Sequence, residues 1–169
     1  MMQDKVRQFM LAFGQEVPEE LGVPSGEICW LRAKLLMEEF SELLHGLGYS
    51  SKIDLEKSHE PNLTLIADGI ADLHYVTSGT AVACGINEAS VFDEVHRSNM
   101  SKCWTSTEVS NATKRDAQEL YQATGNVEIK KGDMVYTKIG KNRWICRDKA
   151  GKVIKSPSYS PADITSKLQ

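Results

Sequence analysis

No Cys-x-x-Cys pair occurs in this chain. Cys29, Cys84, Cys103 and Cys146 are spread widely, so neither a zinc site nor a disulfide framework is expected, and the thiols read as reduced structural residues. A basic surplus is missing as well. The net charge is −3, which leaves no excess of cations to neutralise a phosphate backbone, and nucleic acid is not an expected partner. Nor is there an apolar run long enough for a membrane, because the most apolar region, Val76 to Ile86, is broken by Thr77, Ser78, Gly79, Thr80 and Gly85. No charged segment followed by an apolar stretch and a cleavage site opens the sequence, and a cytoplasmic location is expected. His45 and His59 have no second His or Cys at metal spacing and read as surface residues.

With 169 residues and 41% hydrophobic content, the chain can bury one real core, which predicts one main domain with an appendage. The densest chemistry lies in Leu35-Leu36-Met37-Glu38-Glu39-Phe40-Ser41-Glu42-Leu43-Leu44. With Glu38 at zero and about 100° per residue, Glu42 falls near 40° and Glu39 near 100°, so the three carboxylates share one helix face. The opposite arc, with Ala33, Leu36, Met37, Phe40, Leu43, Leu44 and Leu47, is an apolar stripe of ordinary width. Leu31 and Leu35 fall inside the acidic arc, which a freely solvated face would not need. A solvated glutamate face remains the plain alternative.

A second acidic site lies in Leu63-Thr64-Leu65-Ile66-Ala67-Asp68-Gly69-Ile70-Ala71-Asp72-Leu73-His74-Tyr75-Val76. Apolar residues there occupy every helical angle, the pattern of a buried helix. Asp68 and Asp72, four residues apart, would then need cations, close donors or shifted pKa values. Carboxylates on facing helices can hold metal in an apolar bundle, and an all-oxygen set points to Mg²⁺, with Mn²⁺ as an alternative, rather than zinc. Two unrelated clusters, solvated or capping, are the competing reading.

The rest of the chain follows the same alternation of apolar period and breaker. Helices are predicted over residues 4–15, 27–47, 63–84, 88–102 and 107–124, with loops at 16–26 and 49–62. The second loop, long for a compact domain, is a candidate for substrate discrimination. Lys34 stands four residues before Glu38, where an ion pair or a phosphate contact is open to it. Arg97, Asn99 and Lys102 close the fourth helix and either donate hydrogen bonds and charge to an anionic ligand or complement the helix dipole. Val127 to Ile129, Met134 to Ile139 and Arg143 to Arg147 read as short strands of a hairpin or meander. The basic and aromatic residues Tyr136, Lys138, Lys141, Arg143, Trp144 and Arg147 read as packing plus solubility rather than a nucleic-acid surface. The small residues Ala67, Gly69, Ala71, Ser78, Gly79, Ala81 and Ala83 allow a close helix approach, and a helix apolar all round in so short a chain calls for a second subunit.

Glu38-Glu39-x-x-Glu42, the Ala-Asp-Leu-x-Tyr-Val string around Asp72, and Val95-His96-Arg97-Ser98-Asn99-Met100-Ser101-Lys102 together resemble the all-α nucleoside triphosphate pyrophosphohydrolases. Within them the chain is most similar to the MazG-like and phosphoribosyl-ATP pyrophosphohydrolase-like branch, particularly its compact phage-type members. The resemblance spans roughly residues 1–102 and resumes in Gly151-Lys152-Val153-Ile154-Lys155-Ser156-Pro157-Ser158-Tyr159-Ser160-Pro161. It implies an all-α helical bundle over residues 1–102, an inserted helix with a small C-terminal β appendage over 103–150, and a tail over 151–169 that closes over a nucleotide or docks on the bundle. It also implies a homo-oligomer, a dimer or dimer of dimers, in the host cytoplasm if phage-encoded. The implied reaction is Mg²⁺-dependent cleavage of a nucleoside triphosphate between its α and β phosphates. Glu38, Glu39, Glu42 and Asp72 would be metal ligands and catalytic carboxylates, and Asn99 and Lys102, with Arg97, would contact phosphate. The family's second motif is usually Glu-x-x-Asp. Here Gly69 stands three residues before Asp72, so Asp68 takes over the ligand role. Phosphoribosyl-ATP or dUTP as substrate, and a non-catalytic nucleotide-binding module, are the alternatives.

Overall fold

The computed structural model describes Met1 to Leu168, and Gln169, the last residue of the expected tail, lies outside the described residues. The chain divides into two compact units, one of Pro18–Thr77 and one of Met1–Val17 with the chain from Ser78 onward. Among the described residues no helix is long and apolar enough to cross a membrane.

Caps and glycines set the ends of the helices. In the first unit, α2 (Gly26–Gly46) opens on Ser25, whose Oγ accepts from the Ile28 N–H at 3.3 Å, an ordinary N-cap. It ends where Gly48 takes a φ of +87°, a conformation that only glycine adopts without steric cost. Residues 49–62 carry no helix or strand. α3 (Leu63–Ala83) starts at Asn62, whose Oδ1 accepts from Thr64 N and Leu65 N at 2.9 and 3.2 Å.

The sequence predicts a buried α3 with a second subunit to cover it; in the single chain no residue of α3 is buried. Leu65 and Ile70 are each 61% exposed, and Tyr75 is 83% exposed. The physical reason is local. Among the described residues α2 and α3 make no extended contact, and the apolar surface that the sequence places on both stays largely exposed in the single chain.

In the other unit, α1 (Met2–Ala12) ends earlier than the predicted 4–15 and packs on α4 (Glu88–Met100). The Lys5 ammonium and the Asp93 carboxylate join the two helices at 2.5 Å. Asn87 caps α4 by accepting from Ser90 N at 3.1 Å.

The predicted helix over 107–124 is two helices, α5 (Ser106–Thr113) and α6 (Ala117–Gln122). Lys114 between them sits at φ +63°, and Asp116 accepts from Glu119 N at 2.8 Å to begin a new helix. An aspartate in a polar Lys-Arg-Asp run caps more readily than it propagates. α5 itself opens on a capping box, with Thr105 and Glu108 bonding each other's backbone N–H groups.

Four antiparallel strands follow in the order β1 (Glu128–Lys131), β2 (Met134–Gly140), β3 (Arg143–Arg147) and β4 (Val153–Ile154). The last of these lies where the sequence suggested only tail. Trp104, Val109, Leu120, Ile129, Tyr136, Trp144 and Cys146 form the core under this sheet. Trp104 meets Tyr136 edge-on at 5.3 Å, a favoured aromatic geometry. Trp144 is fully buried, with its indole N–H on Ser106 Oγ at 3.0 Å. Tyr136 and Trp144 are thus packing residues and offer no stacking face. Lys138 is also buried, and its ammonium donates to Leu120 O and Tyr121 O at 2.5 and 2.8 Å, satisfying carbonyls left open at the end of α6. The helical architecture with a small β appendage is therefore the observed fold.

Candidate functional site

The register of α2 sets Glu38, Glu39 and Glu42 on one side of the helix, and all three are exposed. Among the described residues their carboxylates make no hydrogen bond or ion pair. Lys34 does not neutralise Glu38, since its ammonium lies over the Trp30 ring at 5.6 Å from the centroid. On α3, Asp68 and Asp72 are likewise exposed and unpaired among the described residues. A Cβ added at Gly69 would meet nothing within 4 Å, so packing in the single chain does not require glycine at the place of the usual glutamate.

Among the described residues no three His, Cys, Asp or Glu side chains gather as metal ligands. The α2 and α3 carboxylates stand as two separate sets in their unit. Their chemistry nevertheless fits a hard divalent cation: every donor is a carboxylate oxygen, and among the described residues none is already neutralised by a protein cation.

The other unit holds the basic set. Lys102, just past the end of α4, donates to Asn99 Oδ1 at 2.7 Å, which leaves the Asn99 amide N–H groups without a partner among the described residues. Arg97 is engaged elsewhere. It grips the buried Glu94 through Nε at 2.9 Å and Nη2 at 2.7 Å, and the same Nη2 reaches Pro161 O at 2.9 Å.

Glu94 also accepts from Asp163 N at 2.9 Å, so one carboxylate ties α4 to the tail. The tail is docked along α4 by further bonds: Ser156 Oγ to Ser101 O at 3.1 Å, and Ser160 N to Ser101 Oγ at 3.0 Å. The Arg97 hydrogen bonds, followed by that from Asp163 N, pull the Glu94 carboxyl from its ordinary 4.5 down to about 2. A carboxylate depressed on folding contributes stability above its unfolded pKa and loses it as pH falls through the folded one. The melting temperature of the wild type is therefore expected to drop between pH 4.5 and pH 2 more steeply than that of Glu94→Gln. Parallel melting curves across that range would assign the acid sensitivity to other groups.

Tyr159 is half-buried beside this cluster. Its oxygen accepts from Ser98 Oγ at 3.3 Å, and the Lys155 ammonium lies 4.3 Å from its ring centroid. The Ser98 hydrogen bond, helped by the charges of Lys155 and Lys102, holds the phenol below the usual tyrosine range. Sequence reasoning named Arg97, Asn99 and Lys102 but missed Glu94 and Ser98, the two buried residues of α4. The i,i+3 spacing of Glu94 and Arg97 was the available signal, whereas their contact with a segment more than sixty residues later, at Pro161 and Asp163, had none.

A family model described as phosphoribosyl-ATP pyrophosphohydrolase matches residues 6–99, more than half of the 169-residue chain. The chain belongs to that family, which gives it the general character of a nucleotide pyrophosphohydrolase. The match includes Glu38, Glu39, Glu42, Asp68, Asp72, Arg97 and Asn99, and stops short of Lys102 and the sheet. No curated protein and no solved structure shows significant similarity to the chain.

Proposed function

We propose that the protein is a Mg²⁺-dependent nucleoside triphosphate pyrophosphohydrolase, with Mn²⁺ as a substitute, cleaving (d)NTP between the α and β phosphates to (d)NMP and pyrophosphate. The observation that carries this reading is the unneutralised face of Glu38, Glu39 and Glu42 in a chain of a pyrophosphohydrolase family. Glu38, Glu39, Glu42 and Asp72 would hold the cation and Asp68 would assist. When bound, the ion supplies positive charge against the phosphate oxygens and the leaving pyrophosphate. A carboxylate oxygen of the α2 set takes the proton from the water that attacks the α-phosphorus. Lys102 and the Asn99 amide hold the phosphate chain, a compact charge beside a directional donor. Arg97, whose Nη1 has no partner among the described residues, can add a donor while Nε and Nη2 keep Glu94 and the tail in place.

The functional unit is proposed to be a homodimer or a dimer of dimers, because Leu65, Ile70, Tyr75 and Val76 of α3 stay exposed in one chain. A second chain would bury them, and burial of apolar area is the main driving force of stable association.

The test is pyrophosphate release from a panel of canonical and modified ribo- and deoxyribonucleoside triphosphates, dUTP included, with Mg²⁺, Mn²⁺ and EDTA side by side. Metal-dependent pyrophosphate with monophosphate as co-product is expected. Orthophosphate with diphosphate would move the attack away from the α-phosphorus. Light scattering on the same preparation is expected to give at least twice the 18.8 kDa chain mass, and a monomer would remove the assembly from the proposal. Phosphoribosyl-ATP is the second reading, favoured by the description of the matched family, and it belongs in the panel. Absence of release from every substrate would leave a nucleotide-binding module.

A further inference from the structure

Charge is divided unevenly along the chain. Residues 1–102 carry eight Lys and Arg against sixteen Asp and Glu, whereas residues 103–155 carry eleven against six. The segment beyond the family match is thus basic, and it attracts anions on its own account.

That segment also holds a cavity. About 670 Å³ opens between residues 121–126, where the chain leaves α6, and residues 138–141 at the end of β2, a volume within the range of small-molecule sites. None of its lining residues is Asp, Glu, His or Cys. The cavity therefore offers no carboxylate or imidazole base and no ligand set for a metal, and it shares no residue with the acidic faces of α2 and α3 or with Arg97, Asn99 and Lys102.

What the lining does offer is positive charge and donors. Lys138 is 8% exposed, and its ammonium meets the Leu120 and Tyr121 carbonyls and the Trp144 ring but, among the described residues, no carboxylate. A buried ammonium without a counter-charge is costly, and an anion in the adjoining cavity supplies one. Lys141 is exposed and likewise has no acid partner among the described residues; its ammonium lies 5.5 Å from the Tyr121 ring centroid. Between α6 and β1 the backbone N–H groups of Thr124, Gly125 and Asn126 have no acceptor among the described residues, with Gly125 at φ +80°. Successive unspent amides are a common way to hold an anion.

Two ammonium groups and a run of amides call for several acceptor oxygens, as on a phosphate, more than for a single carboxylate. The cavity is also far larger than a phosphate alone needs. Tyr121, half-buried in its wall, carries Lys141 rather than a second ring. A cation over an exposed ring is held less strongly than one in a charge-assisted hydrogen bond, so an arriving phosphate draws Lys141 to itself and leaves the Tyr121 face to a planar group.

We propose that this cavity is a second ligand site, separate from the hydrolase carboxylates, that takes a phosphate monoester carrying a planar ring, of mononucleotide size. The phosphate sits with Lys141, Lys138 and the amides of residues 124–126, and the ring lies on Tyr121. Binding here needs neither metal nor turnover, so it stands apart from the hydrolase reading.

The test is calorimetric titration of the full chain in EDTA with adenosine monophosphate, adenosine and ribose 5-phosphate. Wild type, Lys141→Met, Lys141→Arg, Tyr121→Leu and the control Lys149→Met are compared, each first checked for an unchanged melting temperature. The wild type is expected to bind the monophosphate more tightly than either fragment. Lys141→Met should weaken that binding about tenfold, the size of one lost charge-assisted contact, while Lys141→Arg keeps most of it and Lys149→Met all of it. Tyr121→Leu should weaken the monophosphate and leave ribose 5-phosphate unmoved. No binding of the monophosphate, equal affinity in Lys141→Met, or ribose 5-phosphate bound as tightly as the monophosphate overturns the proposal. A single-stranded oligonucleotide that binds far more tightly, with the same dependence on Lys141, overturns it too and makes the basic segment a nucleic-acid surface.

Discussion

Replacing Glu42 by Gln is expected to lower metal-dependent turnover by about two to three orders of magnitude without destabilising the fold. The size follows from the role proposed for the carboxylate. Metal stabilisation of developing phosphate charge is worth several kcal/mol, and each 1.36 kcal/mol is about a factor of ten in rate. The stability side of the prediction comes from the structure. Glu42 is exposed and makes no hydrogen bond or ion pair among the described residues, so its charge contributes no folded-state contact that Gln would lose. Glu38 and Glu42 instead form a like-charge pair one turn apart, which costs roughly 0.2–0.5 kcal/mol in a helix. Without metal the variant should melt at the wild-type temperature or slightly above it. Adding Mg²⁺ should then raise the melting temperature of the wild type and leave the variant nearly unmoved, because only a ligand that binds the native state shifts that equilibrium. Normal turnover in a folded Glu42→Gln protein would falsify the proposed role of the α2 face. A variant that unfolds would instead mean that the glutamate face is structural.

Trp144→Ala is expected to have the opposite signature, a large loss of stability. Trp144 is fully buried, the largest such side chain, and lies at the centre of the cluster with Trp104, Val109, Tyr136 and Cys146. Removing a buried indole costs about 3–5 kcal/mol through lost contacts and the cavity left behind. Two polar groups would also lose their neighbour. Ser106 Oγ gives up its indole donor, and the Lys138 ammonium, 5.5 Å from the Trp144 ring centroid, loses the face beside it. Urea titration followed by hydrogen exchange should show the destabilisation and early loss of protection in β2 and β3. A shift under about 1 kcal/mol would mean that this cluster is not what holds the sheet, since core truncations of this kind are rarely so mild.

How much of this was legible beforehand depended on where the controlling interaction lies along the chain. The starts of α2 and α4 could be read because their caps are local: Ser25 and Asn87 bond backbone groups only three residues away. The break between α5 and α6 was in principle local too, since Asp116 caps Glu119, but the apolar spacing of Val109, Ala112, Ala117 and Leu120 concealed it by continuing across the break. β4 was missed because a two-residue strand has no periodicity. It exists by pairing with Cys146 and Arg147 of β3.

For the site, the sequence determined the residue types and their helix faces. Three glutamates share one side of α2, and Asp68 and Asp72 lie one turn apart on α3. Those facts follow from the helical repeat alone. Only tertiary structure could decide which charges are already spent. It turned Lys34 to Trp30, gave Arg97 to Glu94 and the tail, and left the α2 carboxylates without a protein cation among the described residues. It likewise buried Lys138 under α6, where composition alone would have left it at the surface. The physical reason is that a residue's type and helical angle are fixed by the chain itself, whereas its partner and its distance from water are set by segments far away in sequence that only the folded chain brings near.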